Sequence, residues 1–187
     1  DNSTEQFVYD CCNLIKRTDA NGNETNYEYD IHGQLTKVTD ALANITKYTY
    51  DNLGNLISIT DAEGHTTTNT YDSLGRLTKI TDSLGCSTQY LYDASGNLIQ
   101  KIYANNQLTE YEYDTLSQIT KIYYGGKDHP IKTITLSYDK VGNMLAWDDG
   151  VYSATYAYDE LNRLKAVSVK YPFKELTISY TYDKAGN

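Results

Sequence analysis

Short runs of apolar and β-branched residues alternate along the chain with clusters of Asp, Asn and Gly. Within the runs, aromatic residues lie two positions apart, as in Tyr27 and Tyr29 or Tyr48 and Tyr50. A period of two is typical of strands, because successive side chains point to opposite faces of a sheet. We therefore predict strands in which Thr25, Tyr27 and Tyr29 share one face and the polar residues between them share the other.

The pair Tyr-Asp divides the chain into repeats. It recurs at positions 9, 29, 50, 71, 92, 113, 138, 158 and 182, and most of these spacings are 20 or 21 residues. Self-similarity at a fixed period is the sequence signature of a repeat architecture. We predict a single array of about eight repeats over residues 1–187, with regular copies in 1–124 and divergent copies with longer loops in 125–187.

Each repeat contains two turn signals. Tyr-Asp is followed by two variable residues and then Gly in most copies, and a second signal follows Thr-Asp ten residues later. Asp at the first position and Gly at the fourth favour a type I turn followed by a residue with positive φ. Asn162 replaces Gly in one copy and tolerates that conformation. Ser117 is a poorer substitute and the copy YDCCNL is one residue short, so we expect distorted turns at both places.

Turns that alternate with such runs predict an all-β fold, a long antiparallel meander of repeated β-hairpins. About sixteen strands are expected, and a twisted open sheet rarely exceeds about ten strands without curling. We therefore expect the meander to coil into a curved strip or a partial shell or barrel. Register kept between copies would place Tyr rings in cross-strand pairs. Leu56 and Ile57 fall on opposite faces of their strand, and a bulge at Gly54 would restore agreement between copies.

The later copies contain longer connections. The segment YYGGKDHPIKT lengthens the hairpin near Gly125, and Pro130 is incompatible with a central strand. The segment AWDDGVY contains the single Trp, Trp147, and VKYPFKE predicts a loop around Pro172. Longer loops are where a binding surface would lie, and a plain looped-out insertion is the alternative.

Composition narrows the classes of function. The chain has 25 acidic and 16 basic residues and a net charge of −9, which argues against a phosphate-binding, nucleic-acid surface. Its apolar runs are too short to span a bilayer, which takes about 20 residues. A folded chain of this size buries roughly 70% of its unfolded surface, and the 20 Tyr must supply much of it. The start at Asp1 and the tail YDKAGN, partway into a ninth copy, suggest a fragment of a longer array.

No constellation of residues predicts catalysis, a metal site or a cofactor. The three His fall in turns or loops, and the three Cys match no zinc-ligand spacing. Those residues are His32, His65, His129, Cys11, Cys12 and Cys86. Each Asp of the series can bond to the backbone N–H groups of its own turn, and calcium binding is the alternative. We therefore predict a protein that is not an enzyme.

These repeats resemble the YD-repeat, or RHS-repeat, family. The shared pattern YDxxGxLxxxTDxxGxxTxYxYD is matched by YDIHGQLTKVTDALANITKYTYD except for Ala43 at the second Gly, and the resemblance covers essentially the whole chain. It implies a β-strip that spirals into a hollow shell, as in bacterial Rhs and wall-associated polymorphic toxins and insecticidal toxin complexes, with relatives in animal teneurins. It also implies an extracellular, cell-surface or cell-wall location, with the parent-chain repeats and an enclosed toxin domain as partners. The Asp-Pro-x-Gly motif beside the self-cleavage site of such shells is absent from this sequence.

Two hypotheses of function follow. The first is a non-catalytic wall segment of an encapsulating shell in a secreted or surface toxin-like protein. Its structural motif consists of Tyr29, Asp30, Gly33, Tyr50, Asp51, Gly54, Tyr71, Asp72, Gly75, Tyr92, Asp93, Gly96, Tyr113, Asp114, Tyr138, Asp139, Gly142, Tyr158 and Asp159. The second is a glycan- or cell-wall-binding module, similar to choline- and glucan-binding repeats. Its candidate carbohydrate contacts are Tyr27, Tyr48, Tyr90, Tyr111 and Trp147. We also expect self-association through the sheet edges at the two ends of the array.

Overall fold

The computed structural model describes residues 4–183 and 185–186, so that Asp1 and Asn187, the ends of the predicted array, lie outside the described residues. The described part contains 17 strands. They are β1 (Gln6–Tyr9), β2 (Leu14–Thr18), β3 (Glu24–Tyr29), β4 (Leu35–Thr39), β5 (Ile45–Tyr50), β6 (Leu56–Thr60), β7 (Thr66–Tyr71), β8 (Leu77–Thr81), β9 (Ser87–Tyr92), β10 (Leu98–Ile102), β11 (Leu108–Tyr113), β12 (Ile119–Tyr124), β13 (Lys132–Tyr138), β14 (Met144–Asp148), β15 (Ser153–Tyr158), β16 (Leu164–Tyr171) and β17 (Lys174–Ser179). No helix occurs among these residues, and hence none that is long and apolar enough to cross a bilayer.

The strands belong to one sheet and pair with their neighbours along the chain in antiparallel fashion. This confirms the predicted all-β meander of repeated hairpins. The chain divides into two compact units, Asp1–Gln89 and Tyr90–Asn187. The divergent copies fall in the second unit. The boundary between regular and divergent copies at residues 124 and 125 concerns sequence regularity and stays a prediction.

A bulge interrupts the strand pairing around seven of the Tyr-Asp turns in the described part of the chain. Between β5 and β6, Thr49 pairs with Ser58 but Tyr50 pairs with Leu56, so that Ile57 has no partner across the strands. The bulge brings Leu56 to the Tyr-bearing face and leaves Ile57 exposed. The change of register on this strand falls at Ile57. Gly54 forms a separate bulge at the turn, as expected, with its N–H donating to the carbonyl of Asp51 at 3.1 Å.

The two faces of the strands follow the predicted alternation. On β5, Tyr48 and Tyr50 are half-buried and the residues between and before them are exposed. Across the strands Tyr48 faces Ile59, and Tyr27 faces Val38 in the preceding copy. The predicted Tyr–Tyr pairs between adjacent strands are therefore wrong, because equivalent Tyr residues lie two strands apart, about 10 Å. The sheet is stabilised instead by aromatic rings packed on β-branched side chains.

The sheet has very little buried interior. Among the described side chains that are hydrophobic, polar or charged, only Ala154 and Thr109 are buried. The chain exposes 12929 Å², whereas a compact monomer of this mass exposes about 9,100 Å². Folding thus buries about 58% of the unfolded surface, less than the roughly 70% expected. The difference arises because most tyrosines are covered only by their neighbours in the sheet and stay half-buried.

The divergent copies differ in part from expectation. Pro130 lies outside the strands, in the connection between β12 and β13, as predicted. The predicted loop around Pro172 is wrong, because Tyr171 pairs with Lys174 and leaves a two-residue turn. Proline suits such a turn because its φ is preset, and the additional residues lengthen β16 to 8 residues. Trp147 lies on β14 and not in a loop.

Candidate functional site

The Tyr-Asp turn is the feature that the chain repeats most faithfully, and the turn at Asp51 shows its geometry. Oδ1 of Asp51 accepts the N–H groups of Leu53 and Asn55 at 2.9 Å, and Oδ2 accepts Nδ2 of Asn55 at 2.9 Å. The N–H of Asp51 donates to the carbonyl of Asn55 at 2.9 Å, and Gly54 has a φ of 84°. This is a type I turn closed by a glycine bulge. As predicted, the carboxylate holds its own turn.

These hydrogen bonds lower the pKa of the turn carboxyl groups. For Asp51 the largest cause is the bond from the side chain of Asn55, and the N–H of Asn55 comes next. For Asp72 the largest cause is the N–H of Arg76, whose guanidinium also lies 2.7 Å from the carboxylate. Hydrogen bonds to the charged form favour it. The pKa is lowered mainly by hydrogen bonds also at Asp10, Asp19, Asp40, Asp93 and Asp159.

The turn forms without glycine in several copies. Ser117 has a φ of 61°, and its N–H donates to the carbonyl of Asp114 at 3.1 Å, as at Gly54. The predicted distortion at Ser117 is therefore wrong. Oδ1 of Asp114 accepts the N–H groups of Leu116 and Gln118, which offsets the cost of positive φ. Ala43, Asn106 and Asn162 adopt the same conformation.

The turn in the copy YDCCNL is altered, as predicted. The N–H of Asp10 donates to the carbonyl of Asn13 at 3.0 Å, three residues ahead of it, where the other turns close on the fourth residue. The carboxylate still accepts the N–H groups of Cys12 and Asn13. The missing residue therefore shortens the turn without removing the role of its Asp.

In most of the described repeats the second Tyr of the motif links the repeat to the preceding one. The hydroxyl of Tyr50 donates to the carbonyl of Leu35 at 2.9 Å, and Leu35 lies opposite Tyr29 at the bulge of the preceding copy. A bulge leaves a backbone group outside the ladder, and such groups need a partner. The same bond joins Tyr29 to Leu14, Tyr71 to Leu56, Tyr113 to Leu98, Tyr158 to Met144 and Tyr182 to Leu164. The Tyr period is visible in the sequence, but this bond is not.

The Tyr-Asp turns of the first unit are packed against one another. A methyl group added at Gly54 would lie 2.9 Å from Nε2 of Gln34, and one added at Gly75 would lie 3.5 Å from Oδ1 of Asn55. Both contacting side chains belong to the preceding Tyr-Asp turn. The glycines of the Thr-Asp turns, Gly22, Gly64 and Gly85, have no such neighbour within 4 Å. One edge of the repeats is therefore packed and the other open.

The candidate carbohydrate contacts lie at separate places. Tyr27, Tyr48, Tyr90 and Tyr111 are all half-buried. Tyr48 lines a concavity of about 760 Å³ in the first unit, together with Tyr50, Asp30, His32 and Asp51. This concavity brings one candidate ring together with acidic and imidazole side chains.

The remaining candidates are engaged by neighbouring side chains. Tyr111 lines a concavity of about 240 Å³ in the second unit, and burial raises the pKa of its hydroxyl. Nζ of Lys101 lies 5.7 Å from the ring of Tyr90. The indole N–H of Trp147 donates to the hydroxyl of Tyr156 at 3.2 Å. Their role in carbohydrate binding stays a prediction.

No metal centre is apparent in the part of the chain that the structure describes, since no three His, Cys, Asp or Glu side chains are suitably grouped there. Cys11, Cys12 and Cys86 are exposed free thiols. Nδ1 of His65 lies 3.1 Å from Oδ2 of Asp61 in its own turn.

An ion pair that the sequence did not indicate joins the first residue of β13 to the connection between β14 and β15. Nζ of Lys132 lies 2.7 Å from Oδ2 of Asp149, whose Oδ1 accepts the N–H groups of Val151 and Tyr152. The bond from Lys132, followed by these N–H groups, lowers the pKa of Asp149 to about 2. The pairing follows from the sheet, which places successive connections side by side.

The comparison with protein families identifies the repeats. The family model described as Teneurin YD-shell matches residues 2–128 and 124–187. The chain belongs to this YD-shell family. The predicted recognition of YD repeats is confirmed, and membership in a shell-repeat family indicates a structural role.

Solved structures share the fold of this YD-shell chain. The crystal structure of TcdB2-TccC3-Cdc42 is similar with a TM-score of 0.73 at 19% identity, over 87% of this chain and 10% of that one. The crystal structure of TcdB2-TccC3 is similar with a TM-score of 0.71 at 19% identity, over 86% and 10%. A Tc holotoxin pore from Photorhabdus luminescens has a TM-score of 0.68 at 19% identity, over 83% and 9%. The YD-shell chain thus spans about a tenth of these chains, and no curated protein matches it.

Proposed function

We propose that this YD-shell chain is a non-catalytic structural module that forms part of the wall of an encapsulating shell in a secreted or surface toxin-like protein. The bond from the Tyr50 hydroxyl to the Leu35 carbonyl carries the proposal, because this bond, which five other copies share, ties a repeat to the one before it. In such arrays stability is approximately a sum over repeats and their interfaces. The recurrence of this Tyr is thereby explained by a structural role in the wall.

Two further observations support this function. The Asp carboxylates that recur in every repeat are occupied by the N–H groups of their own turns, as at Asp51. The structures with the same fold belong to TcdB2-TccC3 and to a Tc holotoxin pore. By analogy, the partners of this chain are the other repeats of its parent chain and an enclosed toxin domain, and its location is extracellular.

Protease protection tests the proposal in the full-length protein that contains this segment. A variant that combines Tyr29→Phe, Tyr50→Phe and Tyr71→Phe removes three inter-repeat bonds, so the enclosed domain should be cleaved faster than in the wild type. Tyr124→Phe is the control, because its ring is 40% exposed and lies outside the motif. Cleavage of the wild-type enclosed domain at the rate of the same domain free in solution would contradict the shell function.

We propose carbohydrate binding as a second candidate function, favoured by the concavity beside Tyr48. It combines the rings of Tyr48 and Tyr50 with Asp30 and Asp51, and binding sites typically combine apolar walls with a few polar groups. A glycan array probed with the 187-residue chain should show retention that Tyr48→Ala abolishes. Tyr156→Ala, at the equivalent position of another repeat, should leave it unchanged. Retention that is absent, or equally reduced by both changes, would exclude this function.

A further inference from the structure

Three connections of the second unit form an exposed apolar surface, which we call the loop edge. It consists of residues 125–131, 149–152 and 171–174, which connect β12 to β13, β14 to β15 and β16 to β17. Its exposed apolar side chains are Ile131, Val151, Tyr152, Tyr171 and Phe173. On the opposite edge the same repeats retain the polar Asp turns at 139–142 and 159–162. In these repeats the departures from the polar Asp turn therefore lie on one edge, while the opposite turns retain it and expose only Val141 and Leu161 among their large apolar side chains.

The loop edge carries a protruding aromatic side chain. Phe173 lies at the tip of the two-residue turn between β16 and β17, and its side chain is fully exposed, at 102% of the reference surface. The ring of Tyr171 makes an edge-to-face contact with Tyr152, with centroids 6.1 Å apart, which holds this hairpin against the neighbouring connection. Lys170 and Lys174 flank the tip, are exposed, and form no salt bridge with a described residue.

The same edge carries an apolar concavity beside this tip. It measures about 530 Å³ and is lined by Pro130, Ile131, Val151 and Tyr152 together with the Lys132–Asp149 pair. This volume lies within the range of small-molecule sites and accommodates a phenyl ring. Asp128 and Asp148, both exposed, are the acidic residues next to its lining segments.

We propose that the loop edge binds a second copy of this chain, with Phe173 of each copy inserted into the concavity of the other. A twofold interface uses the same patch on both subunits. The protrusion of each copy can therefore enter the concavity of the other, which gives two equivalent contacts. Charge supports this occupant, because Lys170 and Lys174 at the tip would approach Asp128 and Asp148 beside the concavity. The Phe173 of one chain does not fill its own concavity, since it is fully exposed. The inference is independent of the proposed shell function.

Sedimentation of the 187-residue chain over a range of concentrations tests the proposal. The wild type should form a reversible dimer. Phe173→Ser and Val151→Asp should each raise the dissociation constant at least tenfold. Both side chains are exposed, so circular dichroism should show an unchanged fold. Leu53→Ser is the matched control, because Leu53 is 78% exposed on a Tyr-Asp turn of the first unit.

Mixing the two variants distinguishes reciprocal insertion from nonspecific hydrophobic association. Phe173→Ser retains the concavity and Val151→Asp retains the protruding ring, so a mixed dimer keeps one intact contact where each variant alone keeps none. The mixture should therefore associate more strongly than either variant by itself. A wild type that stays monomeric, an equal loss in Leu53→Ser, or a mixture no stronger than its components would overturn the proposal.

Discussion

The hydroxyl of Tyr71 and the side-chain amide of Asn69 donate to one acceptor, the carbonyl of Leu56, each at 2.9 Å. Asn69 occupies the position that holds the first Tyr in other repeats. This repeat therefore has a hydrogen bond at the position where other repeats have an aromatic ring. The carbonyl at the bulge is therefore a recurrent acceptor. The second Tyr of the motif supplies its partner in repeat after repeat.

Removing one of these hydroxyls should weaken the array. Tyr50→Phe deletes the bond to Leu35 and leaves a half-buried carbonyl without its donor, so we expect a loss of about 1 kcal/mol in the free energy of unfolding. Urea denaturation measures it. Tyr9→Phe changes the same motif position where the ring is 62% exposed and should leave the midpoint unchanged. Equal losses in both variants would show that the hydroxyl bond is not the cause.

The packed and open edges predict different costs for the same substitution. Gly64→Ala should cost about 1 kcal/mol from positive φ alone. Gly54→Ala should cost slightly more, because the added methyl group would lie 2.9 Å from Nε2 of Gln34, the flexible end of a side chain that must move aside. Thermal denaturation of each variant measures the difference. Adding Gln34→Ala should remove the additional cost at Gly54 only, and identical costs at the two glycines would refute the packing of the Tyr-Asp edge.

Acid should destabilise the fold through the turn carboxyl groups. The pKa of Asp51 and that of Asp72 are lowered below the ordinary value of 3.8 in the folded protein, so the stabilisation from these groups is fully present above about pH 4 and is lost as the pH falls through the folded pKa. For Asp149 this loss extends to about pH 2, because its pKa is about 2. The melting temperature measured from pH 7 to pH 2 should fall below pH 4. Asp51→Asn should reduce this fall, and a flat profile would contradict the argument.

The outer strands should pair with other strands. Within the described residues β1 pairs with β2 alone and β17 with β16 alone, and every residue of β17 is exposed. Unpaired edges promote strand addition, and a charge on the edge opposes it. Leu176→Lys should therefore slow the growth of species larger than a dimer in light scattering at high concentration. Leu53→Lys, which adds the same charge on a turn, should have no effect.

The repetition made much of the fold predictable. Strand alternation, the two turns and the role of Asp51 follow from local rules of side-chain direction and turn geometry. The bulge at Ile57 and the aliphatic partner of Tyr48 do not, because both depend on the register between strands. A shift of the register by one residue moves every side chain of a strand to the other face. The spacing of the tyrosines is compatible with more than one register.

The sequence by itself determined that this chain is an all-β array of YD repeats, since Tyr-Asp and Gly recur wherever a strand and a turn require them. Only the tertiary structure decided what those residues contact: Tyr50 the carbonyl of Leu35, and Gln34 the glycine of the next turn. It also placed Lys132 beside Asp149. The physical reason is that turns and alternation are local properties of the backbone, whereas these contacts join residues 15 to 20 positions apart through the register of the sheet.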